Sequence, residues 1–99
     1  MARVLIDDAP RLMPVLREIL RRHRVTRAAF FGSVARGQET AQSDVDLLVE
    51  FAPGRSLLDQ AALELDLIAL FGREVEVVTW QSLDPRIRER ALHDQVAIL

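Results

Sequence analysis

Two apolar, strand-like segments stand close together in the chain, joined by a short polar connection from Gly32 to Ser43. The first segment is RAAFFG, residues 27–32, and the second is SDVDLLVEF, residues 43–51. Parallel strands need a long crossover that usually contains a helix, whereas antiparallel strands can be joined by a tight turn. The connection is too tight for a full crossover, so we expect the two strands to be antiparallel and central in a mixed sheet.

A helix is predicted before these strands, because apolar residues recur at helical spacing from Arg11 to Arg24. Either this helix begins at Asp8 or Ala9 and bends at Pro14, or Pro14 lies in its first turn. The earlier start is the preferred interpretation. The expected buried stripe consists of Leu12, Val15, Leu16, Ile19, Leu20 and the ring of His23.

A second helix is predicted after the strands, since Ser56 and Asp59 have the spacing of a capping box. Gly72 is expected to end it as a left-handed C-terminal residue. The expected buried stripe of this helix consists of Leu58, Ala61, Ala62, Leu65, Ile68 and Ala69.

The remainder of the chain predicts one more strand and one more helix. The β-branched segment EVEVVTW, residues 74–80, is typical of a strand, and Asp84 followed by Pro85 is typical of a helix start. The resulting order favours an α/β (α+β) domain in which a small mixed sheet of about three strands packs with helices. We expect residues 1–99 to form this single domain.

Composition excludes several classes of protein. The hydrophobic share of 49% and the charged share of 28% are those of an ordinary soluble globular protein. A formal net charge of -2 argues against a general nucleic-acid coat, which needs a net basic face. The absence of cysteine excludes disulfides and thiolate metal sites, and no stretch reaches the apolar length of a membrane span. A cytoplasmic location is therefore expected.

Asp44 and Asp46 interrupt the apolar second strand. Residues two apart on a strand project from the same face, so the two carboxylates are expected side by side. Adjacent carboxylates repel each other unless a cation offsets their charge. Mg²⁺ or Mn²⁺ is the usual cation bound by ligands that are all oxygen atoms. An exposed aspartate pair at a strand start is the alternative, but the adjoining Gly-Ser turn and apolar strand favour a metal site.

Glu74 and Glu76 share one face of the third strand, and one of them could complete a triad of carboxylates. Glu76 is the better candidate because it lies deeper in the strand, whereas Glu74 is expected to be solvated. Convergent carboxylates can hold metal ions that activate an attacking hydroxyl and neutralise phosphate charge. The pattern therefore indicates polymerase-like chemistry.

The turn FGSVARG offers the complementary features for binding a phosphate. Gly32 permits close backbone approach, and Ser33 offers a hydroxyl and exposed N–H groups. A Walker A loop is excluded, because Gln38 and Glu39 stand where Lys and Ser or Thr are required after Gly37. A nucleophile elbow is excluded too, because Gly32 directly precedes Ser33.

The motif G-S-x-x-R-G at Gly32 to Gly37, followed by S-D-x-D-L at Ser43 to Leu47, resembles the minimal nucleotidyltransferase (MNT) domains of the polymerase-β nucleotidyltransferase superfamily. The resemblance extends over nearly the whole chain. It implies that the nucleoside triphosphate contacts Gly32, Ser33, Arg36 and Ser43, and that Asp44, Asp46 and Glu76 are the catalytic residues that bind Mg²⁺. The family more often has Asp where this chain has Glu76. Arg36 could equally be a phosphate contact or a member of a structural ion pair.

The resemblance also implies a biological setting. Minimal domains of this kind are commonly antitoxins of HEPN-domain ribonuclease toxins, which they neutralise by transferring AMP from ATP to a tyrosine hydroxyl. It thus implies an Mg²⁺-dependent adenylyltransferase with a HEPN toxin as partner, without membrane contact and without nucleic acid as a direct partner. Two alternatives remain open: a catalytically weak antitoxin that acts by contact, and a nucleotidyltransferase that acts on RNA or a small molecule.

Other polar and aromatic residues have less specific interpretations. The basic run from Arg21 to Arg27 is most simply explained by the preference for cations at a helix C-terminus. His23 and His93 are expected to be ordinary helix residues. Trp80 is either a residue at the edge of the core or an interface anchor.

Overall fold

Three helices and four strands make up the part of the chain that this computed structural model describes, residues 4–32 and 44–99, with side chains described from residue 11 onward. In chain order they are α1 (Val4–Arg22), β1 (Val25–Phe31), β2 (Val45–Phe51), α2 (Leu57–Phe71), β3 (Val75–Thr79), a 3₁₀ turn (Trp80–Ser82), α3 (Pro85–Asp94) and β4 (Val96–Ala97). None of the helices in these ranges combines the length and hydrophobicity that crossing a membrane requires.

The strands form one mixed sheet in the order β3-β2-β1-β4. β1 pairs with β2 in the antiparallel sense and β2 with β3 in the parallel sense, so the predicted mixed sheet is confirmed. β4 is a fourth strand beyond the three expected; it pairs with β1 at the other edge of the sheet. Because it has only two residues, it has no recognisable strand periodicity in the sequence.

Different helices pack on the two faces of the sheet. Val45, Leu47 and Val49 of β2 are fully buried beneath α1 and α2. The helix residues that cover them are Leu16, Ile19 and Leu20 of α1 and Leu63 and Leu67 of α2. On the opposite face Leu48 packs with Leu83 and with Ala91 of α3 in a smaller cluster. β2 is therefore central and buried on both faces, as its continuous apolar run predicts.

Helix α1 begins at Val4, earlier than the predicted Asp8 or Ala9, and continues through Pro14. It ends at Arg22, and Arg24 has a positive φ of 64° that turns the chain into β1. The predicted stripe is largely confirmed, but Val15 is 48% exposed. Val15 lies beside the half-buried Leu12 and the buried Leu16 and Ile19, and it turns away from the sheet.

Helix α2 has the predicted ends but a different buried face. The Ser56 N–H donates to the Asp59 carboxylate at 2.7 Å, and Gly72 adopts a φ of 68° at the C-cap, so both end predictions are confirmed. The predicted stripe is wrong: Leu58 is 82% exposed and Leu65 is 69% exposed, and the stripe's alanines are exposed too.

The buried residues of α2 are Leu63 and Leu67, with Ile68 of the predicted stripe half-buried against the core. The helix is apolar on several sides, so spacing alone does not select the face that packs. The buried face of α2 also makes polar contacts with β3. The Gln60 amide donates to the Val77 carbonyl at 2.8 Å, and the Val77 N–H donates to the Glu64 carboxylate at 3.2 Å.

The last helix begins as predicted. Asp84 is the N-cap of α3 and accepts a 2.8 Å hydrogen bond from the Arg86 N–H, and Pro85 is the first helical residue. The Arg86 guanidinium also donates to the Asp84 carboxylate from Nε at 3.2 Å and from Nη2 at 2.9 Å. These interactions stabilise the start of α3.

Candidate active site

Asp46 of β2 and Glu76 of β3 are direct partners in the parallel ladder. Their neighbours Leu47 and Val77 are buried on the opposite face, beneath α1 and α2. Asp46 and Glu76 therefore project together from the face that α3 partly covers. Asp46 is half-buried and Glu76 is exposed, so the pair lies where a solvent-borne ligand could reach it.

Asp44 and Glu74 occupy the positions just before β2 and β3, and both are exposed. The Val45 N–H donates to the Glu74 carbonyl at 2.9 Å, so the Glu74 backbone contributes to the ladder. Within residues 11–32 and 44–99, no three side chains of Asp, Glu or His are gathered into a ready-made metal site. The structure thus brings Asp46 and Glu76 together but does not assemble the predicted triad with Asp44.

Gly32 directly follows β1, whose last residue, Phe31, pairs with Asp46. Its φ of 72° is one that side-chain-bearing residues rarely adopt. A Cβ at Gly32 would lie 2.5 Å from Oδ2 of Asp46, too close for any real contact. Glycine at this position therefore lets the main chain at residue 32 approach the Asp46 carboxylate.

The other predicted nucleotide-binding residues, Ser33, Arg36 and Ser43, lie outside the described residues. Their assignment as nucleotide contacts stays a prediction. Of that predicted set, Gly32 is the residue that the structure places, and it places it against Asp46.

Helix α3 contributes residues that the sequence analysis did not single out. An open cleft lies between α3 and the end of β1, and Phe31, Gly32, Arg86 and Arg90 are among its lining residues. The available sequence signal was the spacing of Arg86 and Arg90, which places both side chains on one side of a helix. Because that spacing is common on solvated helices, it did not identify a site by itself.

Trp80 lies at the edge of the smaller core cluster, against Leu48, Leu83 and Ala91. The Arg27 guanidinium lies 4.2 Å from the centre of its ring, in the geometry of a cation–π contact. Of the two interpretations of Trp80, the structure shows the core-edge role. His23 is half-buried, and its Nε2 lies 2.6 Å from Oδ2 of Asp66 on α2, which links the two helices.

The chain has relatives among known nucleotidyltransferases. The family model for the nucleotidyltransferase domain matches residues 12–98. A Methanocaldococcus jannaschii protein assigned as a protein adenylyltransferase is 44% identical over 81 residues, which cover 82% of this chain and 87% of the relative. The protein adenylyltransferase MntA of Thermococcus cleftensis is 38% identical over 82 residues, with 83% of each chain covered.

Solved structures extend the comparison to the fold. A structure assigned as a minimal nucleotidyltransferase has a TM-score of 0.81 and 40% identity, covering 91% of this chain and 92% of that one. The complex of a tri-AMPylated Shewanella oneidensis HEPN toxin with its MNT antitoxin contains a chain of similar fold, with a TM-score of 0.67 and 16% identity. That match covers 88% of this chain and 68% of the other. The predicted fold class and resemblance are confirmed, and the chain belongs to the nucleotidyltransferase-domain family, among its minimal members.

Proposed function

We propose that this protein is an Mg²⁺-dependent adenylyltransferase that transfers AMP from ATP to a hydroxyl group, a tyrosine hydroxyl in particular, of a HEPN-domain toxin. In this role it is the antitoxin of a toxin–antitoxin pair. The observation that carries the proposal is the direct pairing of Asp46 with Glu76 on one sheet face, with Gly32 packed against Asp46.

The donor set fits a hard divalent cation. Asp46 and Glu76 supply carboxylate oxygens from neighbouring strands, and Asp44 lies two residues from Asp46, close enough in sequence to join them. Asp46 and Glu76 would hold Mg²⁺, and Asp44, which the structure does not gather with them, would have to turn toward the ion to join them. When bound, the ion supplies charge neutralisation at the phosphates and lowers the pKa of the attacking hydroxyl.

The residues of the chain then orient the two reactants. Gly32 gives the triphosphate close access to the backbone of the turn, and Ser33 and Arg36 are proposed as further phosphate contacts. The acceptor oxygen forms a bond to the α-phosphorus as the bond from that phosphorus to the bridging oxygen breaks. Pyrophosphate leaves with the electron pair of the broken bond. The hydroxyl proton passes to Glu76, which is exposed and can release it to water.

The proposal for the acceptor depends on relatives. The named relatives are protein adenylyltransferases, and a neighbour of the same fold occurs in a complex with an AMPylated HEPN toxin. A docked protein partner positions its own hydroxyl, which supplies the orientation that catalysis needs.

The test is to incubate the protein with Mg²⁺, ATP and the product of the neighbouring gene, and then to weigh both proteins and map any modified residue. We expect the mass of one AMP or more on the partner, located on tyrosine. Asp46→Asn is the control that should bind the partner without modifying it. Tight binding with unchanged masses would instead support an antitoxin that acts by contact, and AMP on RNA or on a small molecule would support a different acceptor.

A further inference from the structure

The cleft beside α3 lies on the face of the sheet that carries Asp46. Its α3 wall includes Ala91, which packs with Leu48 and Phe31 on that face. The complete lining is Phe31, Gly32, Arg86, Ile87, Arg90, Ala91 and Asp94. Gly32 therefore borders both the Asp46 carboxylate and the cleft, so a ligand that contacts this glycine can extend from one to the other.

The two arginines of the cleft differ in their existing contacts. Arg86 is engaged with Asp84 through both Nε and Nη2. Arg90, one helical turn further on, is exposed and makes no hydrogen bond or ion pair with any residue in the described ranges. Asp94 is the one carboxylate of the lining, and it lies a further turn along α3. Of the two guanidinium groups in the cleft, that of Arg90 is therefore the one available to donate hydrogen bonds to a ligand.

We propose that Arg90 binds the polyphosphate of the nucleoside triphosphate, as a binding residue contributed by α3; this inference rests on the proposed function. A guanidinium has the planar fork of donors that matches phosphate oxygens, and it stays charged throughout the working pH range. Both properties favour a contact between Arg90 and an anion that also touches Gly32.

The experiment measures the affinity of the intact protein for ATP and for tripolyphosphate, each with Mg²⁺, by titration calorimetry. Arg90→Ala should weaken both affinities about tenfold or more, because a charge-assisted hydrogen bond is lost. Arg90→Lys should recover part of the loss, since it restores the charge but not the fork. Arg22→Ala removes an equally exposed cation from α1, which packs on the other face of the sheet, and should leave both affinities unchanged.

Several results would overturn the proposal. If Arg90→Ala and Arg22→Ala bound ATP and tripolyphosphate with equal affinities, Arg90 would not be part of the binding site. A loss for ATP without a loss for tripolyphosphate would assign Arg90 to the base or the sugar instead. If the wild-type protein bound ATP but transferred no AMP, the proposed function would fail while the Arg90 result stood; no binding of ATP at all would overturn both.

Discussion

The side-chain amide of Gln60 on α2 donates a 2.8 Å hydrogen bond to the carbonyl of Val77, the residue that follows Glu76 on β3. One turn further along α2, Glu64 accepts a 3.2 Å hydrogen bond from the Val77 N–H. β3 is an edge strand, so these two side chains satisfy backbone groups that have no neighbouring strand. α2 thereby holds the strand that presents Glu76 to Asp46.

Replacing Gln60 should loosen this edge. Gln60→Ala leaves the part-buried Val77 carbonyl without its partner, and we expect the free energy of unfolding to fall by about 1–2 kcal/mol. Urea denaturation measures the change. Gln81→Ala, at an exposed glutamine in the 3₁₀ turn, is the control and should leave the unfolding midpoint unchanged. The same midpoint for both variants would show that the Gln60 contact does not stabilise β3.

Gly32 and Gly72 form a matched pair for testing the close approach of Gly32 to Asp46. Both have positive φ values, 72° and 68°, so an alanine at either position should cost about 1 kcal/mol in backbone strain. At Gly72 a Cβ meets nothing within 4 Å, whereas at Gly32 it meets Asp46. Gly32→Ala should therefore abolish transfer of AMP while Gly72→Ala retains it. Equal activities of Gly32→Ala and Gly72→Ala, measured at equal fractions of folded protein, would show that Gly32 is not part of the site.

Glu76 and Glu74 form a second pair, because both are exposed and they lie two residues apart. The ladder places Glu76 opposite Asp46, and Glu74 lies before the strand begins. Glu76→Gln should lower the transfer rate by about a hundredfold or more, as loss of a metal or proton-accepting group does, and Glu74→Gln should leave it near wild type. Single-turnover assays with ATP and the partner protein measure both rates. Small and equal losses of transfer rate in the two variants would show that Glu76 is not a catalytic residue.

Asp46 should control the response of the protein to its ligand. Wild-type protein at one hundred times the dissociation constant of Mg²⁺-ATP should gain about 2.7 kcal/mol of stability over protein in EDTA. Asp46→Asn should lose this gain, because the amide cannot replace a carboxylate ligand. Glu50→Gln, also on the α3 side of β2 but exposed and four residues away, should keep it. Thermal melts of the three proteins test the prediction; an intact gain in Asp46→Asn would contradict a metal-binding role.

Acid should weaken the start of α3. Hydrogen bonds from the Arg86 guanidinium, and then from its backbone N–H, hold the pKa of Asp84 below its usual value of 3.8. A carboxyl whose pKa is lower in the folded state stabilises the protein above the unfolded pKa, and this contribution is lost as the pH falls through the folded pKa. Asp84→Asn should therefore be less stable than wild type near neutrality, and the difference should shrink as the pH falls below 3.8, the usual pKa of the carboxyl. Urea midpoints across that range measure it, with Glu89→Gln as the control on the same helix.

The features that the sequence predicted well are those with local causes. Ser56 with Asp59, Gly72, and Asp84 with Pro85 each set a helix end through contacts within a few residues, and the structure has all three. The mixed sheet was also predictable, because the length of a connection limits how two strands can pair.

The features that escaped prediction have tertiary causes. Leu58 and Leu65 share helical spacing with Leu63 and Leu67 on a helix that is apolar on several sides, so the contacts of Gln60 and Glu64 with β3 were needed to identify the buried face. β4 exists only because β1 offers it a neighbour. Likewise, the helical spacing of Arg86 and Arg90 did not indicate a site, since only the packing of α3 brings Arg90 into a cleft with Gly32.

The register of β3 on β2 has a consequence for how errors in folding would affect activity. Leu47 and Val77 pair on the face that builds the core, and Asp46 and Glu76 pair on the other. A slip of one residue would turn Glu76 into the apolar interior and Val77 out to solvent, at a cost that a domain of this size could not sustain. A misregistered chain would therefore be unfolded rather than folded and inactive. Loss of the carboxylate pair through misfolding should therefore lower the amount of folded protein in the cell. A folded but inactive form should arise from changes at the site itself, at the carboxylates or at Gly32.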